Sequence, residues 1–334
     1  MNVKAVSVFF VLLMATGGAL SAGTSPGSGD EPGGSLEPVT LMLDWVPNAN
    51  HVGLFVARDK GYFAAAGLEV RIIQPGEVYA TSAVLGGQAD FGVDFQENMT
   101  LLRSEGVPVV SIAAILQTNT SGFAVRASDD ISGPEDFAGL VYGTFNSPFE
   151  EPTLSALVRC AGADPSGIEY VTAGSDLLVM LDRELADVVW IYYGTQGFQA
   201  RRIGLELTYF PLNEFTDCIP DYYTPVIVAS EQTLDDRPEL VRRFLSALTL
   251  AHEFVADSPE AAAQVLADAV PELDPEELAL SVPWLAERMM SDGLWGHQEL
   301  EIWADYGEWM AGTGVLEGEF DPASAFTSEF LPRR

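Results

Sequence analysis

The stretch "LMLDWVPNANHVGLFVARDKGYFAAAGLEVRII", Leu41 to Ile73, decides the fold. Thr40–Asp44 is a short apolar run ending in polar residues, Leu54–Phe63 has helical spacing, and Leu68–Gln74 is rich in branched residues. Gly61 and Gly67 punctuate them, so the segment reads strand, helix, strand. Beyond it the pattern recurs, with helices at Tyr79–Gln88 and Asn98–Glu105 and strands at Asp90–Asp94 and Pro108–Leu116. Such alternation predicts an α/β fold around a largely parallel sheet.

A second series has strands near Leu140–Thr144, Ile168–Val171 and Val188–Tyr192, and helices near Pro152–Ala161, Asp176–Arg183 and Thr195–Ile203. "GQADFGV" (Gly87–Val93) and "ELADVVW" (Glu184–Trp190) both close a helix and begin a strand at Ala-Asp, an internal echo that suggests two similar lobes. Tyr222–Ser230 reads as one more strand, and everything after it as helices. Pro238 heads an amphipathic segment, and Ser258-Pro259-Glu260 and Asp274-Pro275-Glu276-Glu277 are helix starts. The late tryptophans, Trp284, Trp295, Trp303 and Trp309, read as core.

The first 22 residues have a charged start at Lys4, an apolar run from Ala5 to Met14 and small residues at Ala19, Ser21 and Ala22, the order of a secretory signal peptide. Residues 23–38, rich in Gly, Ser and Pro, read as a flexible linker. Cys160 and Cys218 then belong to an exported protein, at the periplasmic or extracellular face of a membrane, where a bridge is permitted; spacing leaves their pairing open. Two cysteines and three separated histidines predict no metal site. No cofactor is expected.

The formal charge is −33, from 49 acidic and 16 basic residues, which makes nucleic acid a poor partner. A surface so charged repels itself, and salt screens that repulsion. The melting temperature is therefore expected to rise with added salt; a flat response would count against a high-salt habitat. An acidic exported protein from an ordinary source is the plainer reading of the same charge.

No catalytic motif occurs, whether G-x-S-x-G, H-E-x-x-H, a phosphate loop or G-x-G-x-x-G between strand and helix. Polar and aromatic residues instead gather where strands end, the place where open α/β sheets bind ligands. Candidates are Asp44, Trp45, Asn48 and His51; Gly76; Gln96 and Asn98; Phe145, Asn146, Ser147 and Glu150; Trp190, Tyr192 and Tyr193; and Tyr223. A planar heteroaromatic ligand would stack on the rings and use the amides and carboxylates along its polar edge. Plainer readings compete: His51 as a helix cap, and Tyr192 and Tyr193 half in the core.

With "LDWVPNANHVGLFVARDKGYF", "GLEV", "GQADFGV" and "GVPVVSIAAI" in view, the chain resembles the family of thiamine-precursor binding proteins and thiamine-pyrimidine synthases, within the type II periplasmic substrate-binding proteins. The resemblance runs from about Val39 to the C terminus. It implies two α/β lobes with ligand between them: residues 39–125 with 225–334 as the first, 126–224 as the second, and crossings near Phe123–Arg126 and Thr224–Val228. It also implies a monomeric carrier that hands a small heteroaromatic ligand to the membrane subunits of an ABC importer. The ligand would be a thiamine pyrimidine, such as formylaminopyrimidine or hydroxymethylpyrimidine, or riboflavin.

The synthase branch carries a Lys and a sacrificial His where this chain has Asp94 and Asn98. Its cysteine run would fall at Asp217–Val226, where Cys218 stands alone. The resemblance thus implies a binder and not an enzyme. An alkylsulfonate or nitrate binder, a neighbouring branch, would want cations at the cleft, which the candidate loops lack.

Overall fold

The computed structural model describes residues 35–76, 78–172, 176–316 and 318–333. The expected leader and nearly all of the expected linker lie outside them. Among the described residues no helix is long and apolar enough to cross a membrane.

The first half alternates strand and helix as expected: β1 (Glu37–Met42), α1 (Val52–Asp59), α2 (Tyr62–Ala65), β2 (Leu68–Ile73), α3 (Ala80–Leu85), β3 (Phe91–Asp94), α4 (Gln96–Ser104) and β4 (Val109–Ala114). β1 begins at Glu37, paired with Leu68, so ordered chain starts before the linker end expected at residue 38. The chain then crosses to β5 (Ser121–Arg126), β6 (Val141–Thr144), α5 (Glu150–Cys160), β7 (Glu169–Thr172), α6 (Leu177–Asp182), β8 (Val188–Tyr192), α7 (Phe198–Ile203) and β9 (Leu207–Pro211). It returns as β10 (Val226–Ser230) and ends in helices α8 (Glu231–Asp236), α9 (Pro238–Asp257), α10 (Pro259–Ala269), α11 (Pro275–Ala286), α12 (Leu300–Thr313) and α13 (Pro322–Ala325). Asp274 caps α11 by accepting from the N–H groups of Glu276 and Glu277, with Pro275 at the first helical position.

Two five-stranded sheets result, ordered β2-β1-β3-β10-β4 and β7-β6-β8-β5-β9. Each has three parallel strands and then a strand antiparallel to its neighbours, which the chain enters straight after a crossing. This common plan puts the C-terminal ends of β1, β2 and β3 in one lobe, and of β6, β7 and β8 in the other, at the cleft rim.

Two expectations need correction. The first crossing runs through residues 115–120, because β5 pairs with β8 and β9 and belongs wholly to the second sheet. The boundary expected at 125/126 is therefore about five residues late. Nor do the C-terminal helices belong to one lobe: α12 buries Trp303 with Met99 and Val226 of the first lobe, but Tyr306 and Met310 in the second-lobe core with Phe123 and Tyr222. β9 and a short hairpin at Met290–Trp295 were not expected.

Trp295 and Trp303 are buried, Trp284 and Trp309 half-buried. Cys160 and Cys218 form a disulfide.

Candidate ligand cleft

The loop after β1 is fixed by its own polar side chains. Asn50 N–H donates to Asn48 Oδ1 at 3.0 Å and Asn48 Nδ2 donates to the Val46 carbonyl at 3.1 Å. Asn48 N–H donates to His51 Nδ1 at 3.2 Å, so that nitrogen is an acceptor. The ring proton is then on Nε2, which donates to Asp44 Oδ1 at 2.7 Å. His51 is thus neutral, fully buried and has no nitrogen left for a ligand, which corrects its place among the ligand residues. What this bracing presents outward is Trp45, 56% exposed and the one exposed tryptophan among the described residues.

At the end of β3, Asp94 accepts from Phe95 N–H at 2.9 Å, from Asn98 Nδ2 at 3.0 Å and from the Thr81 hydroxyl. Burial still pushes its pKa up to about 6. Gln96 is spent on structure: its carbonyl accepts from Tyr223 N–H at 2.8 Å and its amide donates to the Ile302 carbonyl at 3.3 Å. Glu97, next along α4, is 2% exposed. The Tyr222 hydroxyl lies close enough to favour its anion, yet neither Glu97 Oε2 nor the Tyr222 oxygen has an aligned hydrogen-bond partner. Burial dominates and pushes Glu97 up to about 8.

In the second lobe, Glu150 organises the loop after β6. It accepts from the hydroxyls of Tyr142 and Thr144 at 2.7 and 2.8 Å and from the N–H groups of Phe145 and Ser147 at 3.2 and 2.7 Å. With four donors and 1% exposure it holds the loop and is not available to a ligand edge. The loop presents Phe145, Asn146 and Ser147, with Asn146 in the left-handed region at φ 66°. Gly76 is open on its own rim, where an added Cβ would meet nothing within 4 Å.

The aromatic candidates divide. Tyr192 is partly exposed, whereas Trp190, two residues back on the same face, is 3% exposed and packs on Phe123 in the core. Tyr223 is likewise core, its hydroxyl accepting from Glu299 N–H at 3.0 Å. Tyr193 packs among Phe198, Tyr209 and Trp284. Trp190 and Tyr223 offer no free face, whereas Tyr193 is only partly buried by its aromatic neighbours.

The Tyr192 hydroxyl marks where the lobes meet. Burial and then the charges of Glu97, Asp44 and Glu150 raise its pKa well above the ordinary value, while the Thr224 hydroxyl is a close partner. Acids of both lobes are therefore near enough to act on one phenol, with no Lys or Arg among the groups acting on it. Beneath it Asp221 ties the crossings together, accepting from the Thr118 hydroxyl at 2.6 Å and from Asn119 N–H at 2.9 Å. A separate concavity of 590 Å³ between residues 216–221 and α12, lined by Glu301, Asp305, Glu308 and Trp309, contains none of the groups acting on Tyr192.

Residues 48–262 match the family model described as NMT1/THI5 like. The chain belongs to this family. It is 30% identical to the formylaminopyrimidine-binding protein of Halalkalibacterium halodurans, over 97% of this chain and 98% of that one. It is 25% identical to the riboflavin-binding protein RibY of Chloroflexus aurantiacus, over 89% and 87%. The solved structure of a putative sulfonate ABC transporter's periplasmic protein SsuA from Methylobacillus flagellatus has the same fold, with a TM-score of 0.66 at 13% identity over 89% and 93%. The NMT1/THI5-like chain thus has the two-lobed periplasmic-binding-protein fold expected from its sequence.

Sequence reasoning did not single out Glu97 or Tyr306. Each is buried at the junction of the lobes by residues far away in the chain, and no local pattern marks them.

Proposed function

We propose that this chain captures an aminopyrimidine of the thiamine-precursor type outside the cytoplasm and delivers it to an ABC importer. The observation that carries the reading is that Asp44, Glu97 and Glu150 all act on Tyr192 without a cation, together with the exposed Trp45 next to Asp44 in the chain. A sulfonate or nitrate would meet only like charge there. An aminopyrimidine brings a flat ring for Trp45 and a donor and an acceptor side by side for Glu97, the one acid of the three with a buried, uncommitted oxygen. The likeness to a riboflavin binder makes riboflavin the second ligand to try. The Cys160–Cys218 bridge accords with an exported protein.

A binding role, as opposed to synthase chemistry, is supported by Asp94 and Asn98. They stand where the synthases' Lys and His would be and hydrogen-bond to each other. Lys60, the only Lys among the described residues, is exposed at the end of α1 over the Phe254 ring.

Calorimetry on the leaderless protein tests the proposal. Formylaminopyrimidine or hydroxymethylpyrimidine is expected to bind with micromolar to nanomolar Kd, roughly −8 to −12 kcal/mol. Trp45→Ala should weaken binding by ~1–3 kcal/mol through lost stacking and burial. An absence of binding at about 100 μM pyrimidine would defeat the reading; tighter binding of riboflavin would move the ligand to the flavins.

A further inference from the structure

We propose that Glu97 determines specificity in this cleft: it receives the edge of an aminopyrimidine where the amino group adjoins a ring nitrogen, in a two-point hydrogen-bonded pair that shares one proton. The proposal rests on the functional reading above and adds a residue and a protonation state to it.

Four carboxylates stand at or near the junction, and their bonding separates them. Asp44 is committed to His51 at the partly open rim, Asp94 to three donors and Glu150 to four. Only Glu97 has a buried oxygen without a partner. Its surroundings are aromatic: Tyr222 from the second crossing, Tyr306 from α12 and Tyr192 from β8 all sense its charge. Those phenols are pushed above their ordinary pKa by burial and stay neutral. The other ionisable neighbour, Asp94 on β3, titrates at about 6. No cation offsets Glu97, and an unpaired buried anion is costly, so near neutrality the proton stays on its carboxyl group.

A protonated carboxyl group offers one O–H donor and one carbonyl acceptor side by side. The edge of an aminopyrimidine offers the reverse, a ring-nitrogen acceptor beside an N–H donor. The O–H donates to the ring nitrogen, or passes its proton to it, while the carbonyl oxygen accepts from the amino group. No covalent bond is made, and the pair holds one proton throughout. The hydroxyls of Tyr222 and Ser121, buried close to each other at the same junction and without an aligned partner, are placed to take a polar substituent of the ring.

Calorimetric titration of hydroxymethylpyrimidine from pH 6.5 to 9.5 tests this with wild type, Glu97→Gln and Glu97→Met. Wild-type affinity is expected to hold to about pH 8, where Glu97 ionises, and then to fall about tenfold per pH unit, because binding must recover a proton. Glu97→Gln keeps a donor and an acceptor, so its affinity at pH 7 should stay within about tenfold of wild type, but its profile should be level between pH 7 and 9.5. Glu97→Met should bind roughly 50-fold more weakly or worse, having lost both hydrogen bonds. A raised carboxyl pKa means that the folded state loses stability as pH rises from the ordinary carboxylate range through about 8. Both variants are therefore expected to melt no lower than wild type at pH 8.5; if Glu97→Met does not fold, the Glu97→Gln profile decides alone. Wild-type affinity in Glu97→Met, or an unchanged alkaline fall in Glu97→Gln, overturns the role of Glu97 and leaves the functional reading standing. A wild type that binds no pyrimidine overturns both.

Discussion

Replacing Cys160 and Cys218 together by alanine is expected to lower the unfolding free energy by about 4 kcal/mol, the loop-closure value for cysteines 58 residues apart. The bridge ties the end of α5 to the segment that leads into the second crossing, and Trp309 of α12 donates to the Cys218 carbonyl at 3.1 Å. One covalent link therefore anchors the helix whose first residue, Glu150, holds the Phe145–Ser147 loop, and also the base of the hinge. Denaturant unfolding of the double variant, beside wild type with and without reductant, measures the effect. Reduced wild type and the variant should agree, since both free the same loop in the unfolded chain. A midpoint unchanged in both would mean that the bridge carries no stability. Ligand affinity should fall less than stability, because Trp45 and Glu97 lie in the other lobe.

The sequence made the sheets readable wherever branched runs alternate with glycine-punctuated helices, as in Leu41–Ile73. β5 escaped because "SGFAVR" pairs only with β8 and β9, strands more than sixty residues further on, and it looked like a crossing. β9 ends in Pro211, which weakens a strand signal, yet it lies at the sheet edge where proline is tolerated. The site was legible where its residues bond locally, as in the loop from Asp44 to His51. Even there the sequence did not show that His51 is wholly used in bracing Trp45. In "WIYY" the two-residue period puts Trp190 and Tyr192 on one face, but depth along the strand decides which ring is core and which reaches the cleft. Glu97 needed tertiary structure altogether. An acid in the first turn of a helix is ordinary, and only Tyr222 and Tyr306, from remote parts of the chain, make it a buried one.

Gly53→Ala should lose about 1–3 kcal/mol of stability and, with it, pyrimidine affinity. Gly53 is in the first turn of α1, two residues after His51, and packs on α9. A Cβ there would stand 2.7 Å from His252 Cδ2 and closer still to Nε2 and Cε1. The imidazole cannot retreat: it is fully buried, stacked on Trp295 with centroids 4.1 Å apart, and its Nδ1 donates to the Leu248 carbonyl at 2.8 Å. Burial lowers its pKa to about 4, so it is neutral through the range of interest and no charge complicates the clash. Relief must then come from α1, which moves away from α9 and takes His51 with it. His51 holds Asp44, and Asp44 and Asn48 set the loop that projects Trp45. The variant should therefore weaken the ligand through a residue that touches no ligand, whereas Trp45→Ala weakens it at full stability. Thermal melting and calorimetry together check this. Adding His252→Ala to Gly53→Ala makes room for the new methyl group, so affinity should recover even if the cavity left by the ring keeps stability low. Affinity that stays lost in the double variant would show that α1 does not carry the effect from Gly53 to Trp45.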